Sequence, residues 1–228
     1  MPKSHSSTDY NYDTLAYELK PKEYFGYKRK EMISFIPESA QKVLEVGCGS
    51  GVFGQALKAQ RPGISVWGIE PNEHAAKLAR NNIDRSICGL FAADLPELKG
   101  KKFDCICFND VLEHMVNPEQ ALIDCKSYLS PTGVVVASIP NILFFSVILE
   151  ILLKQDWRYR EEGVLDSTPS ILYEEKHRKN VELNGYDVNN IEGISQSAGL
   201  KYTIAAVLTL GFTKDWKYPQ FAVSARPK

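Results

Sequence analysis

The sequence predicts one α/β domain built on a doubly wound, mostly parallel sheet, with helices on both faces and an antiparallel strand at the C-terminal end. Three observations carry this reading. Short β-branched runs alternate with helical patterns from Lys42 onward, the first strand runs into a glycine-rich turn, and acidic residues stand at the ends of following strands. At 228 residues the chain is long enough for one such domain, and a second full-sized domain would fit only tightly. Hydrophobic residues make up 44% and charged residues 24%, the composition of a chain that packs a core.

Residues 1–40 are expected to form an N-terminal helical cap. Its first residues, Met1 to Asp9, are polar and serine-rich, carry no apolar run that could act as a secretion signal, and are expected to fray. The segment Tyr10 to Ile36 is rich in aromatics and should pack as one or two helices over the sheet or the mouth of a site. The core, 41–141, should hold strands at Lys42–Gly47, Ser65–Glu70, Arg85–Gly89, Phe103–Asn109 and Gly133–Ile139. Helices are expected between them at Val52–Gln60, Glu73–Asn82 and Pro118–Leu129. Residues 142–186 read as an acceptor-side insertion or lid that begins with a helix at Leu143–Lys154 and loosens from Asp156 to Gly185. Its apolar run, Ile142 to Leu153, is broken by Ser146 and Glu150 and falls well short of the roughly 20 residues that cross a bilayer. No stable membrane insertion is expected. In the last segment, 187–228, Asp187 should cap a helix through Ala198 with Gly199 at C′, followed by a strand pair at Lys201–Leu210 and Gln220–Ala225.

With 27 basic and 28 acidic residues the formal charge is -1, which supplies no broad positive field, so nucleic acid is excluded as a first-choice partner. The five cysteines form neither a paired-CxxC zinc pattern nor the dense spacing of a secreted disulfide scaffold. Reduced thiols in a cytoplasmic protein, with no metal site, are expected.

The candidate site starts where Glu45-Val46-Gly47 runs into Cys48-Gly49-Ser50-Gly51. A glycine-rich strand-to-helix turn lets a ligand approach the backbone closely. Gly49 to Gly54 also satisfies the G-x-G-x-x-G pattern of dinucleotide enzymes, so the turn alone admits two cofactors. Glu45 separates them. A buried acid without a partner is costly, and the cationic amino group and sulfonium of S-adenosylmethionine (SAM) give it one, whereas a pyrophosphate would be repelled. Register agrees, because the glycine that directly follows the strand is Gly47 and the offset pattern begins two residues late. Glu70 ends the second strand 19 residues after Gly51, close to the spacing of roughly 20 at which an acid meets ribose hydroxyls. Asp94, after the third strand, could accept a hydrogen bond from an adenine amine.

These residues, with the element Val111-Leu112-Glu113-His114, resemble the class I SAM-dependent methyltransferases over roughly Tyr24 to Ile139. The resemblance implies a Rossmann-like fold, SAM as cofactor and S-adenosylhomocysteine as product. It implies that Glu45, Gly47, Cys48 and Gly49 line the methionine end, that Glu70 meets the ribose and that Asp94 with Leu95 flanks the adenine. Asn109 and Asp110 would lie beside the methionine part, and Gly51 and Pro71 complete the cofactor-binding set.

Methyl transfer from a sulfonium is an in-line displacement, so positioning can carry much of the acceleration, and a base matters chiefly for a hydroxyl acceptor. His114 is the candidate base, just beyond the fourth strand, with capping of a structural turn as the alternative. Glu113 reads as structural or solvent-facing, and His177 as part of a solvated helix face. The segment Asp156 to Asp166 is similar to one in relatives associated with sugar or polysaccharide modification, although the Thr-His-Leu-Arg element that follows there is absent. The expected activity is methyl transfer to a small-molecule acceptor, with oxygen as nucleophile and a sugar or glycan precursor as a narrower option; a homodimer is compatible with the sequence. The alternatives are an NAD(P)-dependent oxidoreductase and a SAM-binding regulatory protein without turnover.

Overall fold

The computed structural model describes residues 29–154, 174–195 and 214–228. The expectations for residues 1–28, for 155–173 of the insertion and for the strand Lys201–Leu210 lie outside the described residues.

Strands β1 (Lys42–Val46), β2 (Ser65–Glu70), β3 (Arg85–Cys88), β4 (Phe103–Asn109), β5 (Leu129–Pro140), β6 (Tyr186–Ile194) and β7 (Gln220–Pro227) form one sheet in the order β3-β2-β1-β4-β5-β7-β6. β1 to β5 are parallel, and β7 runs antiparallel to both β5 and β6. Strand order reverses between β1 and β4. In an open α/β sheet that switch point opens a crevice beyond the carboxyl ends of the strands, and the candidate residues stand there.

The central strands β1, β2 and β4 and the second half of β5 are buried on both faces, which is why they read as nearly continuous apolar runs. The two-residue side-chain period divides it into two cores. Leu44, Val46, Ile69, Ile106 and Phe108 pack with Ala121, Leu122 and Cys125 of α3 (Pro118–Cys125) on one face. Val43, Val66, Cys105, Cys107 and Val136 pack with Phe53 and Leu57 of α1 (Val52–Gln60) on the other, joined by Ala79 of α2 (Glu73–Ala79). Met32 and Ile33 of a 3-10 turn over Lys30–Phe35 complete that second core, and Arg61 fixes the turn by donating to the carbonyls of Ile33, Ile36 and Pro37 at 2.9 to 3.0 Å. Helices α4 (Phe145–Lys154) and α5 (Glu174–Leu183) follow β5.

Two helices stop short of their expected ends. α2 closes at Ala79, and α3 at Cys125, because Ser127 and Tyr128 turn back onto the carbonyls of Asp124 and Cys125 and release Leu129 to pair with Phe103 as the start of β5. Both helices begin as their sequence signals require, with Asn72 and Asn117 side chains accepting from the amides of Ala75 and Gln120 at 2.9 Å.

The helix expected from Asp187 to Ala198 is contradicted: residues Tyr186–Ile194 are a strand. A bulge explains the misreading. Val188 pairs with Ala225 and Asn190 with Ser224, so Asn189 is the extra residue and the face of the strand is reset. Val188 and Ile191, three apart, thereby reach the same core, which reproduces a helical spacing in a strand. The other expected partner, Gln220–Ala225, is the greater part of β7.

α1 lies very close to the sheet at Gly54, where an added Cβ would meet Ile83 Cγ2 at 2.4 Å and Val66 Cγ1 at 2.9 Å. Gly54→Ala is therefore expected to destabilise by about 1–3 kcal/mol despite alanine's higher helix propensity. Urea unfolding measures this, and unchanged or raised stability would contradict the close seating of α1.

Candidate active site

Glu45 is on β1, between Gly68 of β2 and Cys107 of β4 in register, and is 3% exposed. Its side chain points with Val43 toward α1, where the missing side chain of Gly54 leaves Glu45 Oε2 3.7 Å from the position a Cβ would take. Oε1 accepts from Asn109 Nδ2 at 3.1 Å. Among the described residues, Glu45 Oε2 and Asn109 Oδ1 are both buried without a hydrogen-bond partner. Burial, reinforced by the nearby charge of Glu70 and opposed by the Asn109 bond and the Gly54 amide, raises the Glu45 pKa from 4.5 to about 8. A carboxyl held neutral, with one of its oxygens and the Asn109 oxygen unpartnered, fits a cationic group such as the ammonium of SAM, which would donate to these acceptors and favour the ionised carboxylate, so that the proton is released.

The turn after β1 is set by its backbone. Gly47, Gly49 and Gly51 have φ of 69°, 52° and 77°. At Gly47 a side chain would be strained by that φ and would also strike Val111 Cγ2 at 2.5 Å, so the Val-Leu-Glu-His element packs directly over the glycine turn. Gly47 and Cys48 donate to the carbonyl of Ile69 at 2.8 and 3.1 Å, and Gly51 donates to Cys48 at 2.8 Å. The Cys48 thiol is pushed well up by burial and by the Glu45 and Glu70 carboxylates, so it stays protonated and unreactive.

Glu70 is fully buried rather than a solvated strand-end acid. Its Oε2 accepts from the Gly49 amide at 2.8 Å and its Oε1 from the Asn72 amide at 2.9 Å. It thus ties the turn after β1 to the turn after β2. Pro71 is partly exposed at the same strand end.

The end of β4 is tied in a different way. Asp110 adopts a φ of 56°, and its carboxylate is held from three directions. Ser138 Oγ of β5 donates to Oδ1 at 2.7 Å and accepts from the Asp110 amide at 2.9 Å. Gln220 Nε2 of β7 donates to the same oxygen at 2.9 Å, while Arg29 forms an ion pair with Oδ2 and donates to Gln220 Oε1 at 2.9 Å. His114 closes the next 3-10 turn, Leu112–His114, half-buried, with its amide on the Val111 carbonyl at 2.9 Å. Glu113 is buried, so its solvent-facing option falls away.

Asp94 is exposed on the loop after β3. Tyr128, not anticipated from the sequence, positions that loop by accepting from the Leu95 amide at 3.0 Å and donating to the Ala92 carbonyl at 2.8 Å. The structure therefore joins Glu45 to Asn109 and Gly49 to Glu70 by direct bonds, and leaves Asp94 and Leu95 on a separate loop. Ser138, Gln220 and Arg29 were also not anticipated, and only the position of Ser138 inside an apolar strand offered a signal. The side chain of His177, in α5, lies outside the described residues.

Because the folded-state pKa of Glu45 is raised, its stabilising contribution is fully present below the ordinary 4.5 and is lost as pH climbs through about 8. Glu45→Gln, an isostere of the protonated acid, lacks that loss. Denaturant unfolding at about pH 5 and about pH 9 should show the variant gaining stability relative to the parent chain as pH rises; parallel curves would contradict a neutral Glu45.

Residues 19–202 match the family described as a methyltransferase domain. The chain is 31% identical over 117 residues to a ubiquinone biosynthesis O-methyltransferase of Actinobacillus pleuropneumoniae, an alignment that takes 47% of this chain and 46% of that one. It spans about half the length of the curated relatives it matches. A SAM-dependent methyltransferase structure from Archaeoglobus fulgidus superposes with a TM-score of 0.62 at 18% identity, over 95% of this chain and 99% of that one. The plantazolicin methyltransferase solved with S-adenosylhomocysteine superposes at 0.58 with 18% identity, over 95% and 86%. No described helix is long and apolar enough to cross a membrane. The nicotinamide alternative is set aside by the family match, and the chain belongs to the methyltransferase-domain family, with the class I SAM-dependent fold.

Proposed function

We propose that this chain transfers a methyl group from SAM to the oxygen of a small-molecule acceptor. The observation that carries the reading is the Glu45–Asn109 pair, with two buried acceptor atoms that lack a hydrogen-bond partner at the switch point of a methyltransferase sheet. When bound, SAM supplies a methyl group on an electrophilic sulfonium. Glu45 and Asn109 hold the cationic end, with Gly47, Cys48, Gly49 and Gly51 giving close backbone approach and Asp110 beside them. Glu70 and Pro71 border the ribose, and Asp94 with Leu95 borders the adenine. His114 would accept the acceptor's hydroxyl proton on a ring nitrogen as the oxygen forms its bond to the methyl carbon and the carbon–sulfur bond breaks, leaving S-adenosylhomocysteine and a protonated imidazole. Residues 41–141 serve as the cofactor core and 142–186 as the acceptor side, consistent with buried Asn141 fixing the start of α4 against the carbonyls of Asp215 and Tyr218 at 2.9 and 2.8 Å.

The relatives' names support oxygen as nucleophile. A sugar or glycan acceptor draws no support from them and is not carried further. The five free thiols support a cytoplasmic location.

Calorimetric titration of the folded protein with SAM should show binding, and its absence would overturn the reading. In a screen of hydroxyl-bearing small molecules with methyl-labelled SAM, a productive acceptor should be identified. His114→Ala should then slow transfer about 10²–10⁴-fold with SAM affinity unchanged. An unslowed variant would remove His114 as base, and binding without transfer to any acceptor would favour a regulatory protein.

A further inference from the structure

The Asp110 backbone carries a left-handed φ that costs a non-glycine residue energy and persists only where its surroundings hold it. Asp110 directly follows Asn109, whose amide is the hydrogen-bond partner of Glu45. Whatever fixes Asp110 therefore fixes the angle at which Asn109 meets the buried carboxyl. Ser138 contributes from β5, next to β4 in the sheet. Gln220 contributes from further away, as the first residue of the antiparallel strand β7. Its side chain bridges the Asp110 carboxylate and the Arg29 guanidinium, donating through Nε2 to one and accepting through Oε1 from the other. A glutamine can satisfy a carboxylate and a guanidinium at once in only this orientation, so the pair of contacts fixes its rotamer.

We propose that Gln220 is a positioning residue for the cofactor site: it holds Asp110 in its left-handed conformation, and through the Asp110–Asn109 backbone sets the Asn109–Glu45 contact that receives the cationic end of SAM. This rests on the SAM-binding reading above. The C-terminal strand thereby contributes to cofactor affinity without touching the cofactor.

Gln220→Glu tests it. The variant keeps side-chain length and its contact with Arg29, now as an ion pair, so thermal stability should stay close to the parent's. It loses the donor to Asp110 and places a like charge there. The long-range field of an added negative charge would by itself favour a cation such as SAM, so a fall in affinity reads position rather than charge. Calorimetry with SAM should give a dissociation constant about tenfold higher for Gln220→Glu, and an increase of about the same size for Ser138→Ala, which removes the neighbouring donor. The double variant should weaken binding by less than the product of the two, because both act through Asp110. Unchanged or tighter binding by folded Gln220→Glu overturns the inference while leaving the function reading intact. If Gln220→Glu does not fold, unchanged affinity of Ser138→Ala overturns it. Failure of the parent chain to bind SAM overturns both.

Discussion

A carboxyl group sits inside the parallel sheet, and the architecture around the site accommodates it. Glu45 lies on the central strand beneath α1, flanked in register by Gly68 and Cys107. The residues that let it fit are those that lack side chains. Gly54 allows the helix to descend onto Val66 and Ile83, and at Gly68 a Cβ would strike Cys48 Sγ at 2.4 Å. Neither glycine is needed for a turn. A larger residue at either would lift α1 or displace Cys48 and open the enclosure in which Glu45 stays neutral. Desolvation, the largest influence on this carboxyl, is thus a product of the packing.

Around Glu45 the crevice is assembled by three loops, each tied by a buried or half-buried polar group to another element. Glu70 ties the turns after β1 and β2 through two backbone amides. Tyr128 ties the loop after β3 to the start of β5, and burial raises its pKa, which keeps the hydroxyl proton it donates to Ala92. Asp110 ties the end of β4 to β5, to β7 and to Arg29. A site pre-organised in this way loses little freedom when a ligand arrives.

Much of the fold was legible because the signals that mark it are local. β1, β2 and β4 fall within a residue of expectation, since each is a short apolar run closed by glycine or an acid. β6 was misread because Asn189 is extruded from the ladder, and a bulge is a property of pairing with β7 that one strand's sequence does not contain. The site divides along the same line. Glu45, the glycine turn, Glu70 and Asn109, which the fold brings together, could be singled out because they are close in sequence or stand at strand ends. Arg29 and Gln220 were not, since they meet across 191 residues and each alone reads as an ordinary polar side chain. The full burial of Glu70 was also hidden, because a strand-end acid looks the same in sequence whether it faces water or two amides.

The central claim is that Glu45 is protonated in the free protein and charged once a cation is bound. Calorimetry of SAM binding near neutral pH, repeated in buffers of different ionisation enthalpy, counts the protons exchanged. Release of about one proton per SAM bound is expected, because the carboxyl titrates at about 8 when no cation is present. The release should disappear in Glu45→Gln. Binding without proton release, or the same release from the variant, would contradict a neutral Glu45 at the heart of the site.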